Sequence, residues 1–299
     1  MREIKYDLSI IIPTYNVGKY IIETMESILN QKTRFTFQII VIDDGSTDDT
    51  VIKLKKFEAK YVNIMIIQQE NKGAGAARNI GLEFSKGRYI FFCDSDDYIL
   101  PEMIQSCLNV MEKESLEIFL YSAKSFYDNG AETIEFFPTY IRPVVNNVSG
   151  IHFIKISEES KQYFVVPTMF FIRRDFLLTN NIRFPEGIIY EDIYFITVAL
   201  LKANKVSSTS NIFYMRRIRA DSVMTSRDKK NSINSIGKLI IQLSEYGKSE
   251  YKNFKNINIL DNLFLLYNAE YTVMEKEEKK LLKQQKDYTT KNDKVHIIV

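Results

Sequence analysis

The chain has 299 residues, 45% of them hydrophobic and 13% aromatic, and a formal charge of only +2. That much apolar material suits one large folded domain or two ordinary ones and excludes a disordered chain. The near-neutral charge, with no long basic stripe in the first half, argues against nucleic acid as a partner.

In chain order, "LSIII" (Leu8 to Ile12) predicts a short strand ended by Pro13. Gly18 to Asn30 predicts a helix, with Ile21, Met25, Ile28 and Leu29 on one face. Phe37 to Ile42 is a second strand and Thr50 to Ala59 a second helix. Val62 to Ile67 is a third strand; Ala74 to Ser85 is a helix for which Gly87 offers a C-cap. "RYIFFC" is a fourth strand, and Pro101 opens a helix at its favoured first position. Glu117 to Ser122 is a fifth strand. Residues 126 to 162 follow no clear pattern. Beyond them come a strand over Tyr163 to Ile172 interrupted by Pro167, a turn at "FPEG", and an apolar helix from Glu191 to Ala203. A strand at Asn211 to Met215 is followed by helical patterns from Asp228 onward. The early strands are continuous apolar runs separated by helical crossovers. This predicts an α/β fold with a Rossmann-like, mostly parallel sheet sandwiched by helices. Ligands of such sheets bind beyond the carboxyl ends of the strands.

The residues at those ends are chemically distinctive. After the first strand comes "PTYN", where Tyr15 offers a flat ring. After the second comes "DDGSTDDT". Ser46 or Thr47 suits a helix cap and Asp48 and Asp49 suit its positive end, but Asp43 and Asp44 precede the glycine and are left to accept from a base N–H or a ribose hydroxyl. After the third comes "NKGAGAARNIG". It resembles a dinucleotide fingerprint only superficially, because it lacks the third glycine and follows the wrong strand; Lys72 and Arg78 bring positive charge there. After the fourth, Asp94, Asp96 and Asp97 crowd together. Such mutual repulsion has a good reason if a divalent cation and a diphosphate lie between them.

The two histidines, His152 and His296, sit in no context that suggests a Ser-His-Asp triad or a zinc site, so any metal would be a hard ion on oxygen ligands, Mg²⁺ or Mn²⁺. Cys93 and Cys107 read as reduced core thiols of a cytosolic protein. The N-terminus has no signal-like apolar segment, and no stretch approaches the roughly 18 apolar residues of a membrane span.

The motifs "SIIIPTYNVGKYIIETMESILNQ", "IIVIDDGSTDDT", "NKGAGAARNIGLEFSKGRYIFFCDSDDYILPEMI" and "FPEGIIYEDIYF", in this order, resemble the family-2 glycosyltransferases of GT-A fold. The resemblance is close over residues 8 to 112, resumes at 184 to 203 and thins toward 224. It implies a GT-A domain over 1–225, with a nucleotide-sugar-binding half (1–122) and an acceptor-side half (123–225), followed by a helical region (226–299). It further implies a nucleotide-diphosphate-sugar donor, usually UDP-linked, and Mn²⁺ or Mg²⁺. Carried over by position, Pro13 and Tyr15 would flank the uracil, Asp44 would bind its N–H, and Asp43 would order the pocket. Arg78 would lie near the nucleotide and Asp94 at the ribose, while Asp96 and Asp97 would engage metal and diphosphate. Asp192 would be the general base with Glu191 beside it; its place at a helix start should favour the ionised form. "YMRRIRADSVM" would bring Arg217, Arg219 and Ser222 to the diphosphate as a flap.

The reaction implied is inverting transfer to a hydroxyl of a glycan or lipid-linked glycan, as in bacterial surface-polysaccharide assembly at the cytoplasmic face of the membrane. Two rival functions make different demands on the sequence. A metal-dependent nucleotidyltransferase should carry a Gly- and Lys-rich loop where "PTYNVGKY" stands. A nucleotide-sugar-binding module without turnover should have lost Asp192. In the C-terminal region, Lys276, Lys279, Lys280, Lys283 and Lys286 could face an anionic membrane, though their neighbouring acids favour a solvated helix. Leu260, Leu263, Leu266 and Tyr267 could form a homodimer contact.

Overall fold

The computed structural model describes residues 5–128, 139–219 and 229–249. Strands β1 (Tyr6–Thr14), β2 (Phe37–Asp43), β3 (Ile64–Gln68) and β4 (Gly87–Phe92) alternate with helices α1 (Ile21–Leu29), α2 (Thr50–Lys60) and α3 (Ala74–Phe84). A two-residue strand β5 (Tyr98–Ile99) precedes α4 (Met103–Glu114). Then follow β6 (Ile118–Tyr127), β7 (Thr139–Tyr140), β8 (Val145–Val148), α5 (Gly150–Glu159), a 3₁₀ turn at Pro167–Met169 and β9 (Phe170–Arg173). The chain continues through α6 (Arg174–Thr179), α7 (Glu191–Lys202), β10 (Val206–Ile218) and α8 (Lys229–Ser249).

The sheet runs β3-β2-β1-β4-β9-β6-β10-β5, with β7 on β6 and β8 on β10. β1 to β4 pair in parallel, as the apolar runs predict. β9 lies antiparallel between β4 and β6, so β6 points the same way as β4, and β10 runs parallel to β6. All the long strands therefore deliver their carboxyl ends to one edge. Both faces of the sheet are covered: Ile10, Ile11, Ile40, Ile42, Phe91 and Phe92 are fully buried. Alternation is absent because neither face meets water.

Several local expectations change. Gly87 is not a C-cap but the first residue of β4, where an added Cβ would lie 2.4 Å from the backbone of Leu8 and Ser9. A side chain there would keep β4 off β1. Pro101 sits in the turn before α4, which begins at Met103. The segment before Pro167 is not strand; only Phe170–Arg173 pairs. Ser46 and Thr47 do not cap α2. Ser46 Oγ accepts from Asn16 N–H (2.9 Å), and Asp48 Oδ1 accepts from Thr50 N–H (3.0 Å). The helical pattern after Asp228 is confirmed as far as α8, whose Ile233, Ile236, Leu239, Ile240 and Leu243 join the core. Ser222 and the residues named for membrane or dimer contact lie outside the described residues. Among the described residues no helix is long and apolar enough to cross a membrane.

Candidate active site

The loop after β1 is tied to the loop after β2. Asn16 Oδ1 accepts from Thr47 N–H (2.8 Å), Asp48 Oδ2 accepts from Gly18 N–H (3.0 Å), and Thr50 Oγ1 accepts from Val17 N–H (3.0 Å). Pro13 is buried at the end of β1, and Tyr15 is 48% exposed beside it. Asp43 and Asp44 are both buried. Asp44 holds the third loop: its carboxylate accepts from Lys72 N–H and Gly73 N–H, each at 2.8 Å. Asp43 has one oxygen, Oδ1, that is buried without a partner.

Arg78, on α3, is 6% exposed and bridges two acids. Nη2 reaches Asp94 (3.0 Å) at the end of β4 and Nη1 reaches Glu191 (2.7 Å) at the start of α7. Burial opposes its charge, but Asp94, Glu191 and Asp192 outweigh that and hold it firmly protonated. Next to it, Asn79 hydrogen-bonds the backbone of Phe184 in both directions at 2.9 Å, fixing the "FPEG" turn against α3. Phe184 stacks on Phe195 of α7 with ring centroids 3.9 Å apart, and Phe92 meets both rings edge-on. Gly75 gives this turn room: a Cβ would lie 2.9 Å from Glu191 Cγ and 3.0 Å from Pro185 O, so Glu191 would have to shift.

Asp192 is half-buried, and its Oδ1 accepts from Ile193 N–H at 3.0 Å. Burial and then Glu191 push its pKa up to about 7, against the pull of Arg78. The helix start therefore does not keep it an ordinary acid; desolvation and the neighbouring carboxylate prevail.

The three aspartates after β4 have separate surroundings. Asp94 is partly exposed and pairs through one oxygen with Arg78. Asp96 Oδ2 accepts from Arg219 Nε at 2.6 Å. Asp97 is 2% exposed, and its oxygens accept from Tyr214 Oη and Arg217 N–H, both at 2.7 Å. Burial raises Asp96 and raises Asp97 further, the latter with the help of Asp96 and Asp94. Arg217 is held on all sides: Nε donates to Asp96 O, Nη2 reaches Glu23, Nη1 lies 3.5 Å from Asp128, and Tyr20 and Phe126 flank its guanidinium. Asp128 itself accepts from Lys19 Nζ (2.6 Å) and Tyr20 Oη (2.8 Å).

The structure thus brings together Asp94, Asp96, Asp97, Arg217 and Arg219 in one group, and Arg78, Asp94, Glu191 and Asp192 in an adjoining one. Sequence reading missed Tyr20, Asp128 and Tyr214. Asp128 had a signal: it follows β6 just as Asp94 follows β4, but the apolar run that marks the strand in sequence ends at Ser122.

Comparison with known proteins decides the family. The model for "Glycosyl transferase family 2" matches residues 9–179. The chain belongs to glycosyltransferase family 2. Its relatives in the family include YibD of Escherichia coli K12, described as an uncharacterized glycosyltransferase. That protein is 31% identical over 72% of this chain and 62% of its own length. The minor teichoic acid biosynthesis protein GgaB of Bacillus subtilis is 30% identical over 89% of this chain but 29% of its own. Against the first of these relatives, then, the chain spans less than two thirds of the length, and against the second less than one third. Among solved structures, residues 1–349 of Staphylococcus aureus TarS superpose with a TM-score of 0.71 at 25% identity, covering 91% of this chain and 77% of that one. A TarS structure in complex with UDP-GlcNAc gives 0.68. This family member therefore has the GT-A architecture, with its helical extension described as far as α8.

Proposed function

We propose that this chain transfers a sugar, with inversion, from a UDP-sugar to a hydroxyl of a glycan or lipid-linked glycan acceptor in surface-polysaccharide synthesis. The reaction would run in the cytoplasm, at the membrane face where the acceptor is lipid-linked. The observation that carries the reading is the Arg78 bridge. It joins the acidic end of β4 to the start of α7, so that a carboxylate with a pKa near 7 stands beside the acidic loop that follows β4. The likeness to TarS with UDP-GlcNAc supports a UDP-linked donor.

In this reading Tyr15 with Pro13 covers the base, Asp43 and Asp44 read it and order its loop, and Asp94 faces the ribose. Asp192 removes the proton of the attacking hydroxyl as the new bond forms on the face opposite the departing nucleotide. The negative charge of Glu191 raises the proton affinity of that carboxylate more than Arg78 lowers it. Arg219 and Arg217 offer positive charge to the leaving diphosphate. A divalent cation suits the donor set. Among the described residues no three potential ligands gather into an all-protein cage, but hard carboxylate oxygens stand at Asp94 and Asp96, and Mg²⁺ or Mn²⁺ takes one or two such ligands plus diphosphate oxygens. Asp96 is the better placed of the predicted pair, since Asp97 is taken up by Tyr214 and Arg217. When bound, the ion supplies charge neutralisation at the leaving group.

The test is a thermal-shift panel of UDP, GDP, CDP and NAD, each with Mn²⁺ or chelator, followed by hydrolysis of UDP-sugars. A UDP shift that needs the metal and is lost in Asp96→Asn is the expected result. No shift with any diphosphate would sink the donor reading.

A further inference from the structure

The turn that presents Asp192 is held from α8, more than forty residues further along the chain. Tyr190, immediately before Glu191, has a left-handed backbone (φ 70°, ψ 27°). A ring-bearing residue reaches that region only when its surroundings impose it, and such residues gather at functional sites. Two of its restraints come from α8. Tyr190 Oη and Ser232 Oγ share a hydrogen bond at 2.8 Å, and Ile189 N–H donates to Ser235 Oγ at 3.0 Å. Ser232 and Ser235 are buried, three residues apart, and so lie on one face of the helix. That face also carries Ile236, Leu239 and Leu243 into the core. On the other side of the turn Arg78 holds Glu191.

We propose that Ser232 and Ser235, through Tyr190 and Ile189, form a positioning clamp that fixes the direction in which Asp192 presents its carboxylate. The inference rests on Asp192 as the general base. It gives α8 a role in catalysis without contact with substrate: these residues hold a turn whose relaxed geometry would aim the base elsewhere. Misplacing a base by a fraction of a bond length lowers turnover more than it lowers donor binding.

The experiment uses the full chain with UDP-GlcNAc and UDP-glucose hydrolysis as readout, comparing Tyr190→Phe, Ser232→Ala, their double variant, Ser232→Thr and Ser235→Ala. Expected is a kcat about tenfold lower in Tyr190→Phe and in Ser232→Ala, with KM for the donor within about twofold of the parent. The double variant should be no worse than either single one, because both remove the same bond. Ser232→Thr, which keeps the hydroxyl, should restore turnover. An unchanged kcat in both single variants, or additive losses that track falling thermal stability, overturns the clamp. If the parent chain hydrolyses neither sugar nucleotide, the transferase reading is decided separately by the diphosphate thermal-shift panel. The clamp is then judged by hydrogen exchange over 188–193, which Ser232→Ala and Ser235→Ala must accelerate; unchanged exchange overturns it.

Discussion

The half of the molecule built on β1 to β4 ties its loops to one another and, among the described residues, leaves few buried side-chain polar atoms without a partner (Asp43 Oδ1, Gln69 Oε1 and Arg78 Nε), whereas the half built on β6, β9 and β10 holds more of them. In the first half Asn16, Asp44, Asp48 and Thr50 each take backbone N–H groups from a neighbouring loop. In the second half Arg142 is 1% exposed between Phe164 and Phe170, with Nε and Nη1 unpartnered; Thr168 Oγ1 and Ser157 Oγ are likewise buried without partners. Burial alone pulls the Arg142 pKa down to about 9. A tied frame suits a ligand moiety that does not vary, such as a nucleotide. Unsatisfied polar groups cost stability wherever they are kept, and a segment that carries them is not optimised for folding alone.

Four changes would break or sharpen this contrast. Asp192→Asn has the largest expected effect, a loss of about 10²–10⁴ in kcat with UDP binding intact. In the parent chain kcat/KM should fall tenfold per unit below about pH 7 and level off above it, since the base works only when deprotonated. The same substitution should stabilise the fold at pH 8, by thermal melting, and not at pH 4. A carboxylate whose folded pKa is raised binds its proton more tightly when native, so its charge costs stability only at higher pH. Next, Asp44→Ala removes a carboxylate that orders two backbone N–H groups of the third loop. Each such charge-assisted bond contributes about 1.5–3 kcal/mol, and urea unfolding together with a raised donor KM should show the loss. Third, Gly75→Ala pushes Glu191 off Arg78, and kcat should drop about tenfold while the melting temperature falls only slightly. Smallest is Arg142→Met. An apolar side chain of similar length removes a buried charge without counter-ion, and the melting temperature should rise by about 2–4 °C. A fall would mean that Arg142 has a polar role that its buried surroundings do not disclose.

The half built on β1 to β4 was legible because its signals are local: an apolar run, then a loop whose polar side chains gather where the run ends. Asp43, Asp44, Asp94 and Asp96 all fell at the sheet edge where strand chemistry puts them. What sequence did not show were the pairings across distance. Arg78 and Glu191 are 113 residues apart, and Tyr20 and Asp128 are 108 apart. No periodicity encodes such a pairing. β9 was legible only in part for a similar reason: of the strand expected over Tyr163 to Ile172, only the end from Phe170 pairs. Its four residues follow a proline and a 3₁₀ turn, and their partners are two strands formed long before. Ser232 and Ser235 carry no signal of their own in the helical pattern after Asp228, and only their contact with the turn before Glu191 gives them meaning. The helix-start argument for Asp192 pointed the wrong way because a dipole effect of about 0.3–1 kcal/mol is smaller than desolvation beside a second carboxylate.

The antiparallel insertion of β9 has a consequence for biosynthesis. During translation β4 and β6 both emerge well before Phe170, yet neither can use the other as a neighbour, because the strand that lies between them has not been made. Until Phe170–Arg173 leaves the ribosome, β4 presents one edge with open backbone groups and Phe91 without its stacking partner Phe171. Such an edge invites pairing with another chain. Nascent polypeptides arrested before this point should therefore be the ones that aggregate or recruit chaperones, while those extending past β10, which covers the other edge of β6, have the sheet complete and should be released folded.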